Sequence, residues 1–501
     1  MRSSRNGYLL TLATIGLLVV ATDAIAQQEI VAHPLELSFP ELDFQPPDGA
    51  ALRHELGTGT VAYVVEDHSL PLINIAIFIR TGEYTSRAMI NPGVAGLAGS
   101  QMRAGGTDSL TPSELDEELD FLAAQISTRI GSTSGSANMN CLVKDLEICL
   151  DMFFEILRQP RYDQERLDLA KSQQLQRMEQ RNDDTGGIER REWSRLLYGD
   201  DHFSTHATTE SELNAIRRDD LLAFHDYAIH PGNFIFAISG DVHTREILDQ
   251  IDARLSNWPI AEAPGSVPEP KAEPQPGLYL IHKEDVNQGR VSIGHRSTVI
   301  SNPDRFALQI MNNILGGGGF TSRIMSRVRS DEGLAYSAGS AFGLGTHYDG
   351  SFRAFFQSRS EAVARATGIV IEEIHRIRTE KVSDEELANA KASFIDTFSR
   401  NFASAGQIAG LFANLELQGR DIDLVSTYRD DMAAVTADDV LRVAHEYLNP
   451  DRLVILAVGN TDDILAGDPD NATFSLEAMA SGGSVIRIPL PDPMTMDYAG
   501  Q

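Results

Sequence analysis

Residues 219–242 read DDLLAFHDYAIHPGNFIFAISGDV, and a matching pattern returns in the second half of the chain as DDVLRVAHEYLNPDRLVILAVGNT, residues 438–461. The two stretches align without a gap, so that Asp220 falls on Asp439 and the proline and last glycine of each coincide. Each copy predicts an amphipathic helix that ends before a proline, followed by a short apolar strand that ends at a glycine. The shared order and spacing indicate that the chain consists of two homologous halves.

A proline-rich segment separates these halves. Residues 259–277 contain six prolines, a composition typical of a stiff, extended linker. We therefore predict an α+β fold with two homologous domains, at residues 45–258 and 278–465, and a tail at residues 466–501. Each domain is expected to pack an antiparallel sheet against helices.

Charge limits the classes of partner. The 501 residues include 42 basic and 72 acidic side chains, which give a formal net charge of −30. A chain this acidic repels phosphates and anionic lipids, so nucleic acid and anionic membrane surfaces are excluded as partners.

The N-terminus has the three parts of an export signal. Arg2 and Arg5 precede an apolar run over residues 8–21, and Ala24-Ile25-Ala26 fits a small-x-small cleavage site. An uncleaved anchor is the alternative, but the apolar run is short for a membrane span. We expect a signal peptide at residues 1–26, no membrane association after its cleavage, and a periplasmic or secreted protein.

Cys141 and Cys149 are the two cysteines of the chain. Export would permit a disulfide between them, whereas their positions in a strand-like and a helix-like stretch favour two buried thiols. The sequence leaves both alternatives open.

A second motif lies at residues 314–340, ILGGGGFTSRIMSRVRSDEGLAYSAGS. It combines a glycine-rich turn, Ser322-Arg323, Arg329 and a Gly-Leu-Ala-Tyr-Ser segment that includes Tyr336. This combination resembles a signature of the pitrilysin/insulinase family of zinc metallopeptidases, and the resemblance extends over about residues 45–465. It implies two homologous domains that together form half of a clam-shell peptidase chamber.

Members of that family carry an inverted zinc motif, His-x-x-Glu-His, on a helix of the first domain. The two histidines bind Zn²⁺, and the glutamate between them activates a zinc-bound water. In this chain the segment GVAGLAGSQMRAGGT, residues 93–107, aligns with that helix. The motif positions and the position of a distal glutamate ligand then hold residues that cannot replace the family's ligands: Gly96, Gly99, Ser100 and, near the distal position, Lys171 and Ser172. We expect no metal or other cofactor on this chain and no peptidase activity from the chain alone.

Other histidines offer weaker metal candidates. His202 and His206 precede Glu210 in a polar segment, where solvated loop histidines are favoured over a metal site. His225 and His230 flank the end of a predicted helix, where a solvated or helix-capping role is favoured.

The resemblance assigns a substrate-facing role to Arg329 and Tyr336. Such an arginine offers donors to peptide carbonyls, and such a tyrosine donates a hydrogen bond to the tetrahedral oxyanion; a salt bridge and a core ring are the alternatives. Some family members are two-chain enzymes, so the resemblance predicts the non-catalytic, substrate-binding subunit of a heterodimer whose partner carries zinc. A peptidase-derived scaffold or peptide-binding protein is the alternative function, and hydrolysis through residues not identified here is the third.

Overall fold

The computed structural model describes residues 44–85, 91–468, 474–480 and 483–499. The predicted signal peptide lies outside these residues and stays a prediction. Residues Gln45–Gln501 form one unit, in which two six-stranded sheets follow each other along the chain. In the described part of the chain, no helix has both the length and the apolar character needed to cross a bilayer.

The first half builds one sheet and nine helices among the described residues. Its strands are β1 Arg53–Glu55, β2 Val61–Glu66, β3 Leu72–Ile79, β4 Gln125–Ile130, β5 Gly135–Leu142 and β6 Phe234–Gly240. Its helices are α1 Gly49–Leu52, α2 Val94–Ala104, α3 Pro112–Phe121, α4 Leu146–Arg158, α5 Gln164–Glu179, α6 Thr185–Tyr198, α7 Glu210–Ala215, α8 Arg218–Ala228 and α9 Thr244–Leu255.

The second half repeats this order. Its strands are β7 Gly277–His282, β8 Gln288–Arg296, β9 Ala335–Phe342, β10 Ser351–Arg359, β11 Val454–Gly459 and β12 Val485–Arg487. Its helices are α10 Arg305–Asn312, α11 Arg323–Met325, α12 Val363–Thr379, α13 Asp384–Ile395, α14 Ala405–Leu417, α15 Leu424–Ala434, α16 Ala437–Tyr447 and α17 Thr461–Ala466. Between the halves, residues 259–276 form no helix or strand, in line with their proline content.

The two sheets have equivalent strand orders, β1-β2-β6-β3-β5-β4 and β12-β7-β11-β8-β10-β9. The repeated sequence that indicated a duplication forms α8 with β6 in one half and α16 with β11 in the other. The predicted α+β fold with two similar halves is therefore confirmed. The sheets are mixed rather than purely antiparallel, because β6 and β11 return after a long helical crossover and lie parallel to β2 and β7.

Each half lends one helix to the sheet of the other. Helix α6 of the first half packs on the second sheet, where Trp193 joins a buried cluster with Tyr279 and Leu456. Helix α14 of the second half packs on the first sheet, where the Phe412 ring stacks on Tyr63 with centroids 5.9 Å apart. This reciprocal exchange buries the central strands β6 and β11 on both faces, so that every residue of both strands is buried.

The C-terminal tail contributes β12 to the second sheet, parallel to β7. Farther on, the Tyr498 hydroxyl donates a hydrogen bond of 2.8 Å to Glu192 of α6. The described part of the tail thus packs on its own chain.

Both cysteines are free and fully buried, Cys141 on β5 and Cys149 on α4. Burial raises the pKa of the Cys141 thiol well above its ordinary value. The structure therefore has two core thiols in place of a disulfide, and neither thiol is activated as a nucleophile.

Candidate functional site

Helix α2, which aligns with the zinc helix of the family, is a packing helix in this chain. It begins after Gly93, whose φ of 91° is in the left-handed region, and it ends at Gly105, whose N–H donates to the Gln101 carbonyl at 2.8 Å. Its buried face contributes apolar side chains to the core of the first half, among them Val94, Ala98 and Met102.

Gly99, which the sequence comparison aligns with the catalytic glutamate of the family motif, lies at a close contact between α2 and strand β4. A Cβ atom at this position would lie 2.3 Å from the Ile130 backbone nitrogen and 2.9 Å from the Arg129 carbonyl carbon. The Thr128 hydroxyl donates to the Gly99 carbonyl at 2.7 Å across the same contact. Position 99 therefore accepts only glycine unless the helix or the strand moves.

The two histidine positions are equally unable to hold a metal. Gly96 has no side chain, and its N–H donates to the Glu83 carboxylate at 2.9 Å. Ser100 is exposed, and its hydroxyl donates to the Leu97 carbonyl of its own helix at 3.1 Å. Neither position offers an imidazole or carboxylate to a metal ion.

The distal ligand position falls on helix α5, which packs against α2. There the Lys171 ammonium donates to the carbonyls of Asn214 and Ile216 at 3.0 and 2.9 Å. Ser172 donates to the Asp168 carbonyl at 2.9 Å. A cation therefore stands where the sequence alignment puts the family's distal carboxylate, and the residues at the four aligned positions do not fit a catalytic zinc.

The second-half motif forms a looped segment, residues 313–334, before the edge strand β9, and we call this segment the arch. Helix α10 ends in a π-helical turn, Asn313–Gly317, and a second π-helical turn, Ser326–Asp331, follows α11. A Cβ on Gly316 would lie 2.3 Å from the Ser340 nitrogen of β9, so this glycine allows the turn to approach the strand.

Arg323 of this motif is structural. It is 8% exposed and makes two hydrogen bonds to the Glu386 carboxylate, at 2.6 and 3.0 Å. The guanidinium lowers the pKa of Glu386 to about 2. Glu386 also closes the capping box of α13 with Ser383, so this ion pair joins the arch to helix α13.

Arg329 and Tyr336 come together on the surface of this arch. The Arg329 guanidinium carbon lies 4.6 Å from the centre of the Tyr336 ring and 4.8 Å from the centre of the Phe320 ring. Tyr336 is 83% exposed and Phe320 is 68% exposed. We call Phe320, Arg329 and Tyr336 the Arg–aromatic patch.

This patch differs from the alternatives considered from the sequence. Tyr336 is not a core ring, and within the described part of the chain Arg329 has no ion pair within 4.0 Å. The Arg329 guanidinium contacts the face of the Tyr336 ring, and Tyr336 itself is mostly exposed. Phe320 was not identified from the sequence, because no local pattern shows that a phenylalanine will be exposed.

Two histidines expected in a solvated loop take structural roles. His202 is buried instead of solvated, and its ring nitrogens contact the Ser204 hydroxyl at 2.7 Å and the Pro268 carbonyl at 3.0 Å. His206 contacts the carboxylate of Glu212 at 3.1 Å, and Glu212 closes the capping box of α7.

The solvated alternative for His225 and His230 is also wrong, whereas His225 does contact a carbonyl in the last turn of helix α4. Both are buried, and burial lowers the pKa of each. His225 Nε2 hydrogen-bonds to the Leu157 carbonyl at 2.8 Å, and His230 Nε2 accepts from the Asn233 amide at 3.0 Å. His225 is part of the core because the end of α4 and the Tyr162 ring, whose centroid lies 6.2 Å away, pack against it.

Comparisons with known proteins identify a family domain in the chain. Residues 215–394 match the family model of the peptidase M16 inactive domain. An uncharacterized zinc protease of Streptomyces coelicolor is 23% identical over 349 residues, which cover 65% of this chain and 74% of that protein.

Solved structures share the fold. A peptidase M16 inactive domain from Pseudomonas fluorescens superposes with a TM-score of 0.73 at 24% identity, over 81% of this chain and 97% of that chain. A chain of complex III from Candida albicans superposes with a TM-score of 0.64 at 14% identity, over 82% of this chain and 97% of that chain. The resemblance predicted from the sequence is confirmed, and the chain is a homologue of the pitrilysin-type (M16) peptidases that carries an M16 inactive domain at residues 215–394.

Proposed function

We propose that this chain is the non-catalytic, substrate-binding subunit of an exported heteromeric zinc metallopeptidase that acts on peptides or unfolded segments. The observation that carries the proposal is the pairing of a zinc helix closed to metal with an exposed Arg–aromatic patch. A motif with a purely structural role would not need to place an arginine beside two large, exposed aromatic rings.

The chemistry of the patch supports contact with a peptide. The Arg329 guanidinium lies 4.8 and 4.6 Å from the centres of two aromatic rings, and contacts of this kind restrict the side chain before a peptide carbonyl binds. The Tyr336 hydroxyl is a neutral donor suited to an oxyanion that forms when water attacks a peptide bond. Zinc and the activated water belong to the partner subunit in this proposal, a His-x-x-Glu-His homologue that completes the chamber.

The acidic surface agrees with such a role. The formal charge of −30 attracts cationic peptides over long range and repels nucleic acid. Export and a periplasmic or secreted location follow from the N-terminal signal and remain part of the proposal.

The test is peptidase activity of the chain reconstituted with a zinc-bearing homologue, first sought in the adjacent reading frame. Tyr336→Phe keeps the ring stacked on Arg329 and removes the hydroxyl, so we expect kcat to fall ~10²-fold. Arg329→Ala is expected mainly to raise KM, because it removes a donor to substrate carbonyls. Arg245→Ala on α9, whose side chain is 94% exposed, is the matched control and should leave both constants unchanged.

Assembly of the two chains is measured for every variant by gel filtration. Wild-type constants for Tyr336→Phe and Arg329→Ala, with assembly intact, would refute the substrate-binding role. That result would instead favour the alternative, a peptidase-derived scaffold or peptide-binding protein.

A further inference from the structure

A cluster of metal-ligating side chains lies at the ends of the parallel strands β2 and β6, and the proposed function does not use it. Glu66 is the last residue of β2, and His68 lies in the turn that follows. Asp241 and His243 follow β6 and lead into α9. The register pairs Glu66 with Gly240, and the Asp67 N–H donates to the Gly240 carbonyl at 2.8 Å, so the two loops are held together by backbone.

The potential ligand atoms are close enough to share one ion. Among the described residues, Glu66, His68 and His243 each offer a nitrogen or carboxylate oxygen, and these atoms lie within 4.8 Å of one another. The His68 Nε2 to Glu66 Oε2 distance is 3.5 Å. Two ligands about 2.1 Å from a tetrahedral Zn²⁺ lie roughly 3.4 Å apart, so this pair needs almost no movement.

Neighbouring groups orient the two ligands of this pair. His68 Nδ1 lies 2.6 Å from the Asp241 carboxylate, which fixes the ring and leaves Nε2 toward Glu66. Glu66 Oε1 accepts from the N–H and the hydroxyl of Thr244 at 2.7 and 2.6 Å, which leaves Oε2 for an ion. A carboxylate on the far nitrogen of a histidine is the usual outer shell of a zinc ligand.

The second half of the chain shows that the fold does not require this cluster. The strand registers and the sequence repeat place His282 at the position of Glu66 and Asp462 at that of His243. There the His282 ring contacts the Thr461 hydroxyl at 2.9 Å. The first-half residues therefore form an arrangement that the duplicated fold does not explain.

We propose that Glu66, His68 and His243 bind a zinc-class divalent cation, with Asp241 as the outer-shell partner of His68. Two imidazoles and one carboxylate, with a fourth position open to water, form a ligand set that suits Zn²⁺ better than Mg²⁺ or Ca²⁺. The ion joins the turn after β2 to the start of α9. This site shares no residue with the Arg–aromatic patch or with α2, and it stands independently of the proposed function. It departs from the expectation, drawn from the sequence, that the chain holds no metal.

The test is calorimetric titration of the full chain, stripped of metal with chelator, with ZnCl₂. Wild type is expected to bind one equivalent, and the double variant His68→Ala, His243→Ala should lose at least tenfold in affinity. Asp241→Asn should weaken binding ~10–100-fold without removing a ligand. His375→Ala, a change of another exposed histidine, is the control and should bind as wild type does.

Titration with Co²⁺ supplies a second readout, since a tetrahedral site gives intense visible absorption. Equal zinc affinity in wild type and the double variant would overturn the proposal, as would the absence of a saturable equivalent in wild type. Weak absorption typical of six-coordinate Co²⁺ would also overturn it. All four side chains are at least partly exposed, and thermal unfolding in chelator should be the same for every variant.

Discussion

The substitution Gly99→Ala tests whether α2 has become a closely packed helix that no longer has room for a catalytic side chain. The added Cβ would lie 2.3 Å from the Ile130 nitrogen, where ordinary contacts begin at 3.4 Å. Because the nearest atom belongs to the backbone of β4, no side-chain rotation relieves the clash, and helix and strand must separate by about 1 Å.

Two opposing effects set the size of the change. Overpacking of this kind costs about 1–3 kcal/mol, and alanine is favoured over glycine inside a helix by about 1 kcal/mol. The difference is a net loss in the free energy of unfolding of about 0–2 kcal/mol, and we expect the upper part of that range because the contact is rigid on both sides.

The chain offers a matched control in helix α14. Gly410 is also inside a helix, but a Cβ there would meet nothing within 4 Å. Gly410→Ala should therefore stabilise by up to about 1 kcal/mol. The two substitutions are chemically identical, so opposite signs isolate the contact with β4 from helix propensity.

Urea unfolding, followed by the fluorescence of Trp193 and Trp258, measures both variants. The midpoint should fall for Gly99→Ala and rise for Gly410→Ala. An increase for both would refute the conclusion that position 99 is closed to larger residues.

Three further predictions follow from the same structure. Restoring histidine, glutamate and histidine at positions 96, 99 and 100 of α2 should lower the unfolding midpoint and should not create a zinc site there. Elemental analysis is done in a variant that also lacks His68 and His243. One zinc per chain in that variant would contradict the prediction. Arg323 holds the pKa of Glu386 at about 2 against an ordinary 4.5. The ion pair therefore stabilises the fold above pH 4.5, and its contribution is lost as the pH falls from about 4.5 to 2. The Glu386→Gln variant should lose less stability than wild type over this pH range, and equal losses would argue against the pair. Protease cleavage within residues 259–277 should leave two fragments that co-elute on gel filtration, because each half covers the sheet of the other with a helix; separation without denaturant would show that this exchange is weak.

Much of the fold could be predicted from the chain itself. The duplication rests on a repeated order of helix, proline, strand and glycine, and each of these signals acts over a few residues. The sequence also predicted the proline-rich connection and the lost zinc ligands, because a missing imidazole or carboxylate is a matter of residue type at one position.

The sheet topology and the exchange of α6 and α14 could not be predicted in this way. Local periodicity shows that a helix has an apolar face, but it does not show which sheet covers that face. For the same reason the sequence left a solvated and a helix-capping role open for His225, whereas the tertiary structure buries the ring against the end of α4.

The candidate sites show the same division between what residue identity determines and what tertiary contacts decide. The amino-acid sequence by itself determined that α2 carries no zinc ligands and that Arg329 and Tyr336 survive in the second half, since both facts are residue identities within short motifs. Only the tertiary structure decided that Gly99 touches β4, that Phe320 completes the Arg–aromatic patch, and that His68 meets His243. The physical reason is that β6 enters the sheet beside β2 after a long crossover, so that strand pairing brings together loops that are remote in the chain.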